Sequence, residues 1–144
     1  MANVVASTKP ASRVVSTGNT EIDKKLGGGI PLGSMTLIEG ESDSGKSVLS
    51  QQMIWGSLYD GLSVVLYTTE NTVKSFIRQM SSLSLEVTDF LLLTKLKIFP
   101  ITASKLKLPP NQIFTMLLEH LDRTDGLDLV VMDSLTTFIT HTSI

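Results

Sequence analysis

Residues 34–47 read SMTLIEGESDSGKS, and this stretch decides the fold. Its second half, Gly40 to Ser47, has the G-x-x-x-x-G-K-S spacing of a loop that wraps a phosphate chain. Each residue type answers a physical need. Gly40 and Gly45 let the backbone turn its N–H groups inward, Lys46 reaches the outer phosphates, and the Ser47 hydroxyl can ligate Mg²⁺. The candidate nucleotide site is therefore Gly40, Glu41, Ser42, Asp43, Ser44, Gly45, Lys46, Ser47 and Val48. A polar turn can match this spacing by chance, so the flanks carry the decision. Ser34 to Gly40 is a short apolar run bounded by glycines, which predicts a buried strand. After the loop, Val48, Leu49, Met53, Ile54 and Leu58 recur near helical spacing, and a helix starting there aims the positive end of its dipole at the anion.

The same alternation continues outward. Upstream, Glu21 to Leu26 predicts a short helix, capped by Asn19 or Thr20 and stopped by Gly27 to Gly29. Downstream, Leu62 to Glu70 predicts a second buried strand, and Val73, Phe76, Ile77, Met80 and Leu83 one face of a helix. Leu96 to Ile101 predicts a strand near a sheet edge, because Pro100 has no N–H to give a ladder. Ile113, Phe114, Leu117, Leu118 and Leu121 mark another helical face, and Leu127 to Asp133 a last apolar strand. Strands alternating with helices predict an α/β domain with a largely parallel sheet.

Composition narrows the function class. The chain has 144 residues, enough for one domain with a sizeable core. It has no cysteine, hence no disulfide framework and no thiolate metal site. No apolar run approaches the roughly 18 residues of a membrane span, and the first fifteen residues, MANVVASTKPASRVV, read as a flexible tail or a strand lent to a neighbour, not as a secretory signal. A cytoplasmic location follows as the simplest expectation. The net charge of −2 gives no basic footprint, so no nucleic acid is expected as partner. The local exception is Lys95, Lys97, Lys105 and Lys107, whose alternation with apolar residues predicts one solvated or edge-protecting strand face. His120, near a helix C-terminus, reads as a surface histidine that the helix dipole stabilises.

A phosphate loop needs a second metal contact, and Asp133, behind four apolar residues, is the candidate to hold Mg²⁺ with Ser47, acting through a metal-bound water. Many ATPases carry a glutamate after that aspartate to polarise the attacking water. Here the next residue is Ser134, so the carboxylate has to come from elsewhere or is missing. Glu70, at the end of the second strand and on the carboxyl rim of the sheet, is the candidate base. The competing reading makes it a helix-start carboxylate that favours the dipole of the next helix. Asp133-Ser134-Leu135-Thr136 lacks the D-x-x-G of a GTPase. A small-molecule kinase stays open, though no substrate lid is recognisable.

The segments TGNTEIDKKLGGGIPLGSMTLIEGESDSGKS, YTTEN and LVVMDSLTTF resemble the RecA-type ATPases of the KaiC-like branch. Within that branch, TTENTVKSFIRQMSSLSLEVTDF followed by LKIFPI is most similar to the FlaH (ArlH) family of archaellum accessory ATP-binding proteins, whereas KaiC proteins usually pair two glutamates where this chain has Glu70-Asn71. The resemblance covers about residues 16–144 and implies a RecA-like core flanked by helices, with ATP and Mg²⁺ as ligands. It implies a ring-forming regulatory subunit at the cytoplasmic face of the archaellum base, peripheral to the membrane. Its partners there are the motor ATPase, the membrane platform protein and a ring scaffold, with nucleotide occupancy controlling the contacts and hydrolysis slow or absent. The alternatives are a RecA/RadA-like DNA-dependent ATPase and a KaiC-like ATPase or autokinase. Family members continue past the second motif with a strand between those of Gly40 and Asp133, so residues 16–144 are expected to be the N-terminal part of the domain, broken off after the Asp133 strand.

Overall fold

The computed structural model describes residues 14–102, 105 and 107–136. The predicted tail over residues 1–15 thus lies outside the described residues except for its last two. The chain divides into two compact units, residues 1–62 and 63–144.

In the first unit, β1 (Val14–Val15) pairs antiparallel with β2 (Ile30–Pro31), Val15 opposite Ile30. Between them α1 spans Thr20–Lys25, and of its two predicted caps Asn19 is the one used: its side chain accepts the Glu21 and Ile22 N–H groups at 3.0 and 3.1 Å. Glu21 and Asp23 in the first turn and Lys24 and Lys25 in the last complement the helix dipole. Asp23 has a second task that the sequence reading missed. Its carboxylate accepts the Ser16 hydroxyl at 2.6 Å, the Thr17 hydroxyl at 2.7 Å and the Thr17 N–H at 2.8 Å, binding the incoming chain to α1. Partial burial pushes this carboxyl up, but the three hydrogen bonds outweigh it and hold it below its ordinary value. The stabilisation is therefore complete above the unfolded pKa and is lost as pH falls through the lower folded one. Asp23→Asn should cost about 1 kcal/mol at pH 7, low for bonds to a charge because the group is partly solvated. In paired urea melts the gap to wild type should shrink below about pH 4; a gap independent of pH would show that the charge contributes nothing.

The phosphate loop then leads into α2 (Lys46–Tyr59), in which Met53, Ile54 and Leu58 are buried as the spacing predicts, while Val48 is exposed. One predicted element does not form. Residues 34–40 adopt no regular strand, and Met35 and Leu37 are 99% and 66% exposed. A strand is made by its neighbour's hydrogen bonds, and no described residue pairs with this segment. Apolar content alone supplies no ladder.

The second unit holds a three-stranded parallel sheet in the order β4-β3-β5. The central β3 (Val64–Thr68) is buried at all five positions, and both β4 (Leu96–Pro100) and β5 (Leu129–Asp133) run beside it in register, Thr68 opposite Pro100 and Asp133. The pleat explains the continuous apolar run, since alternate residues serve opposite faces. On one face Val65 and Tyr67 pack with Ile113 and Leu117 of α5 (Pro110–Asp122). Beyond β3, α3 (Val73–Ser82) buries Phe76 and Met80 and starts with a capping box in which Thr72 and Ser75 bond reciprocally. The short α4 (Thr88–Leu92) was not foreseen, its five residues giving too little periodicity. Pro100 ends an edge strand, as predicted.

One expectation changes here and another is extended. The lysine alternation holds in a strand only around Lys97, because β4 ends at Pro100 and Lys107 adopts a left-handed turn with φ 53°. His120 is exposed and lies in the last turn of α5, as predicted, and it also has partners there. Its Nδ1 lies 2.5 Å from the Tyr67 hydroxyl, and its ring meets Phe99 edge-on with centroids 4.9 Å apart. Burial raises the Tyr67 phenol above its ordinary value.

Candidate functional site

The loop over Gly40 to Ser47 has the geometry its sequence requires. Gly45, the residue before α2, has φ 94°, a left-handed conformation that side chains rarely adopt. Asp43 also lies there, at φ 63°. At Gly40 a Cβ would stand 2.5 Å from the Ser44 hydroxyl and 3.3 Å from the Ser44 Cβ, so the Ser44 side chain would have to give way. Lys46 folds back over the loop, its ammonium donating to the carbonyls of Gly40 and Glu41, each at 2.6 Å. The Ser44 N–H closes a turn on the Glu41 carbonyl at 3.2 Å. No side chain caps α2, so its first-turn N–H groups are left to an external acceptor. A looped backbone, a cation at its mouth and an uncapped helix start fit a polyphosphate. Ser42 belongs to the turn, and Ser47 and Val48 are the second and third residues of α2.

The other predicted residues gather at the carboxyl rim of the second unit's sheet. Asp133 ends β5, and its carbonyl accepts the Thr69 N–H at 2.9 Å, which prolongs the β3–β5 ladder by one bond. Glu70, two residues past the end of β3, is exposed, and its Oε1 accepts the Ser134 hydroxyl at 3.1 Å. The Glu70 carboxylate thus lies beside the residue that follows Asp133. The α3 cap itself is Thr72, and Glu70, two residues ahead of it, also stands near the positive end of that helix. Among the described residues no group of three or more histidine, cysteine or acidic side chains could hold a metal. That is compatible with Mg²⁺, which takes one or two protein oxygens and completes its shell with phosphates and water.

The sequence reading missed the threonines that shape this rim. Thr68 Oγ1 accepts the N–H groups of both Glu70 and Asn71 at 3.1 Å, turning the chain sharply after β3. Thr69 Oγ1 accepts the Ser134 N–H at 3.2 Å. Asn71 Oδ1 in turn accepts from Ser75 and Gln79 of α3, at 3.2 and 3.0 Å. The only signal in the sequence was a run of hydroxyl residues at a strand end.

Residues 15–143 match the family model described as the KaiC ATPase. The chain belongs to the KaiC ATPase family. This KaiC-family chain is also similar to the archaeal flagellar ATP-binding protein FlaH of Sulfolobus acidocaldarius, 32% identical over 125 residues that cover 85% of the chain and 54% of the relative. With FlaH of Methanocaldococcus jannaschii it is 38% identical over 96 residues, 65% of the chain and 41% of the relative. The crystal structure of the flagellar accessory protein FlaH from Methanocaldococcus jannaschii superposes with a TM-score of 0.69 at 30% identity, covering 92% of this chain and 59% of that one. The expected RecA/KaiC-like α/β fold and the FlaH-like character are therefore both found. The chain spans about half the length of the FlaH proteins it matches. Among the described residues no helix is long and apolar enough to cross a membrane.

Proposed function

We propose that this KaiC-family chain is the ATP-binding part of a FlaH-like regulatory subunit of the archaellum motor. Residues 16–144 form the N-terminal part of its nucleotide domain. The observation that carries ATP binding is the Lys46 ammonium folded over a glycine-shaped loop at an uncapped helix start. In this reading the loop residues Gly40 to Val48 bind the phosphates, Ser47 and Asp133 hold Mg²⁺, and Glu70 is the carboxylate that activates water. Mg²⁺ held there would supply charge neutralisation on the phosphates. The likeness to proteins named for the archaeal flagellum supports the rest. The chain acts in a homo-oligomeric ring at the cytoplasmic face of the archaellum base, peripheral to the membrane, where ATP occupancy governs its contacts with the motor ATPase, the platform protein and the ring scaffold.

The test measures two responses of the full-length protein. Capture of the purified motor ATPase should depend on ATP, and the hydrolysis rate should be indifferent to single-stranded DNA. Binding through phosphate contacts would reveal itself by falling steeply with salt. Strong, salt-sensitive stimulation by DNA, with ATP-independent capture, would move the assignment to a recombinase-like ATPase.

A further inference from the structure

The rim of the second unit contains a hydroxyl pair whose arrangement the ATP-binding reading leaves unexplained. Ser134 stands where a carboxylate would follow the metal-binding aspartate, and it faces the carboxylate that replaces it. Its Oγ donates to Glu70 Oε1 at 3.1 Å. Its own N–H is held by Thr69 Oγ1 at 3.2 Å, and the single Thr69 proton has Glu70 Oε1 and the Ser134 carbonyl as acceptors, each at 3.5 Å. Thr69 N–H to the Asp133 carbonyl, at 2.9 Å, fixes the two strand ends to each other. Two of these contacts, from the Ser134 and Thr69 hydroxyls, reach the carboxylate, both at Oε1, and among the described residues no hydrogen bond reaches Oε2.

We infer that Ser134 is a positioning residue for Glu70: it anchors Oε1 so that Oε2 is presented to the attacking water, and Thr69 holds Ser134 in place. The inference rests on Glu70 as the water-activating group. In the step concerned, the water oxygen bonds to the γ-phosphorus as the bond to the ADP oxygen breaks, and the water proton passes to Glu70. An exposed glutamate on a free rotamer samples many orientations. A hydrogen bond to one oxygen removes most of them, and displacement of a reacting group by about 1 Å can cost on the order of 10²-fold in rate. The threonine hydroxyl does for the Ser134 backbone what Ser134 does for the carboxylate.

The experiment is single-turnover phosphate release by the full-length protein at saturating Mg-ATP, with ATP affinity measured separately for each variant. Ser134→Ala should slow release roughly 10- to 100-fold, the effect of losing one hydrogen bond to a charged group, with ATP affinity within a few-fold of wild type. Ser134→Thr, which keeps the hydroxyl, should restore most of the rate. Thr69→Val should slow release and Thr69→Ser should not. Combining Ser134→Ala with Glu70→Gln should be no slower than Glu70→Gln alone, because there is then no carboxylate to orient. Wild-type rate in Ser134→Ala, or no rescue by Ser134→Thr, overturns the inference. So does a wild-type rate no higher than that of Glu70→Gln, which removes the base assignment itself. Failure of ATP binding is seen apart from these, as a melting temperature that ATP does not raise.

Discussion

Lys46→Ala is expected to weaken ATP binding roughly 10- to 100-fold, the effect of removing charge-assisted hydrogen bonds of about 1.5–3 kcal/mol. The geometry sharpens the expectation. The Lys46 ammonium donates to the Gly40 and Glu41 carbonyls at 2.6 Å, so it is already parked at the loop mouth, and among the described residues no carboxylate forms a salt bridge with it. A polyphosphate arriving there gains a positioned cation, while the carbonyls lose little. The readout is thermal. In a full-length protein, Mg-ATP at about 100 times its dissociation constant should stabilise the fold by about 2.7 kcal/mol, and Lys46→Ala at the same concentration should keep only a fraction of that. The variant's own melting temperature without ATP is the control. A large loss there would mark the lysine as a structural strap across the loop, and a melting temperature insensitive to ATP in the wild type would remove the nucleotide site altogether.

The legible parts of the sequence were those where local chemistry leaves one solution. The loop spacing, a cap of α1 narrowed to Asn19 or Thr20, the apolar run of β3 and the edge position of β4 all follow from backbone requirements that a few residues satisfy or violate. Residues 34–40 show the opposite case: their composition is that of a strand, but pairing is a property of two segments, and the partner is not written in either. The same limit hid the Tyr67–His120 contact, which joins residues 53 apart, and the Asp23 clasp, whose partners lie in an irregular stretch with no periodicity to read. At the rim, sequence reasoning reached Glu70 by elimination, since Ser134 vacated the usual place. It had no means of finding that Ser134 and Glu70 touch, because a register between β3 and β5 with Thr68 opposite Asp133 is needed to bring the two turns together.

That contact bears on whether the chain holds ATP or spends it. Glu70→Gln preserves the size of the side chain and an oxygen for the Ser134 hydroxyl, and removes only the charge and basicity. Affinity for ATP should therefore stay within a few-fold of wild type. Phosphate release should fall by roughly 10²- to 10⁴-fold, the contribution of a positioned general base. The wild-type rate from which it falls is expected to be low, well under the enzyme median of about 10 s⁻¹. Glu70 is exposed, and a carboxylate surrounded by water works in a high dielectric, where fixed charges stabilise a transition state far less than in a closed site. A slow, carboxylate-dependent turnover would fit the regulatory role proposed above, in which the bound nucleotide is a state to be read by partners and reset occasionally. Single-turnover assays of wild type and Glu70→Gln in the full-length protein separate the cases. A wild-type rate at or above the median, abolished in the variant, would make this a motor-type ATPase; a rate unchanged by the variant would leave Glu70 without a chemical role.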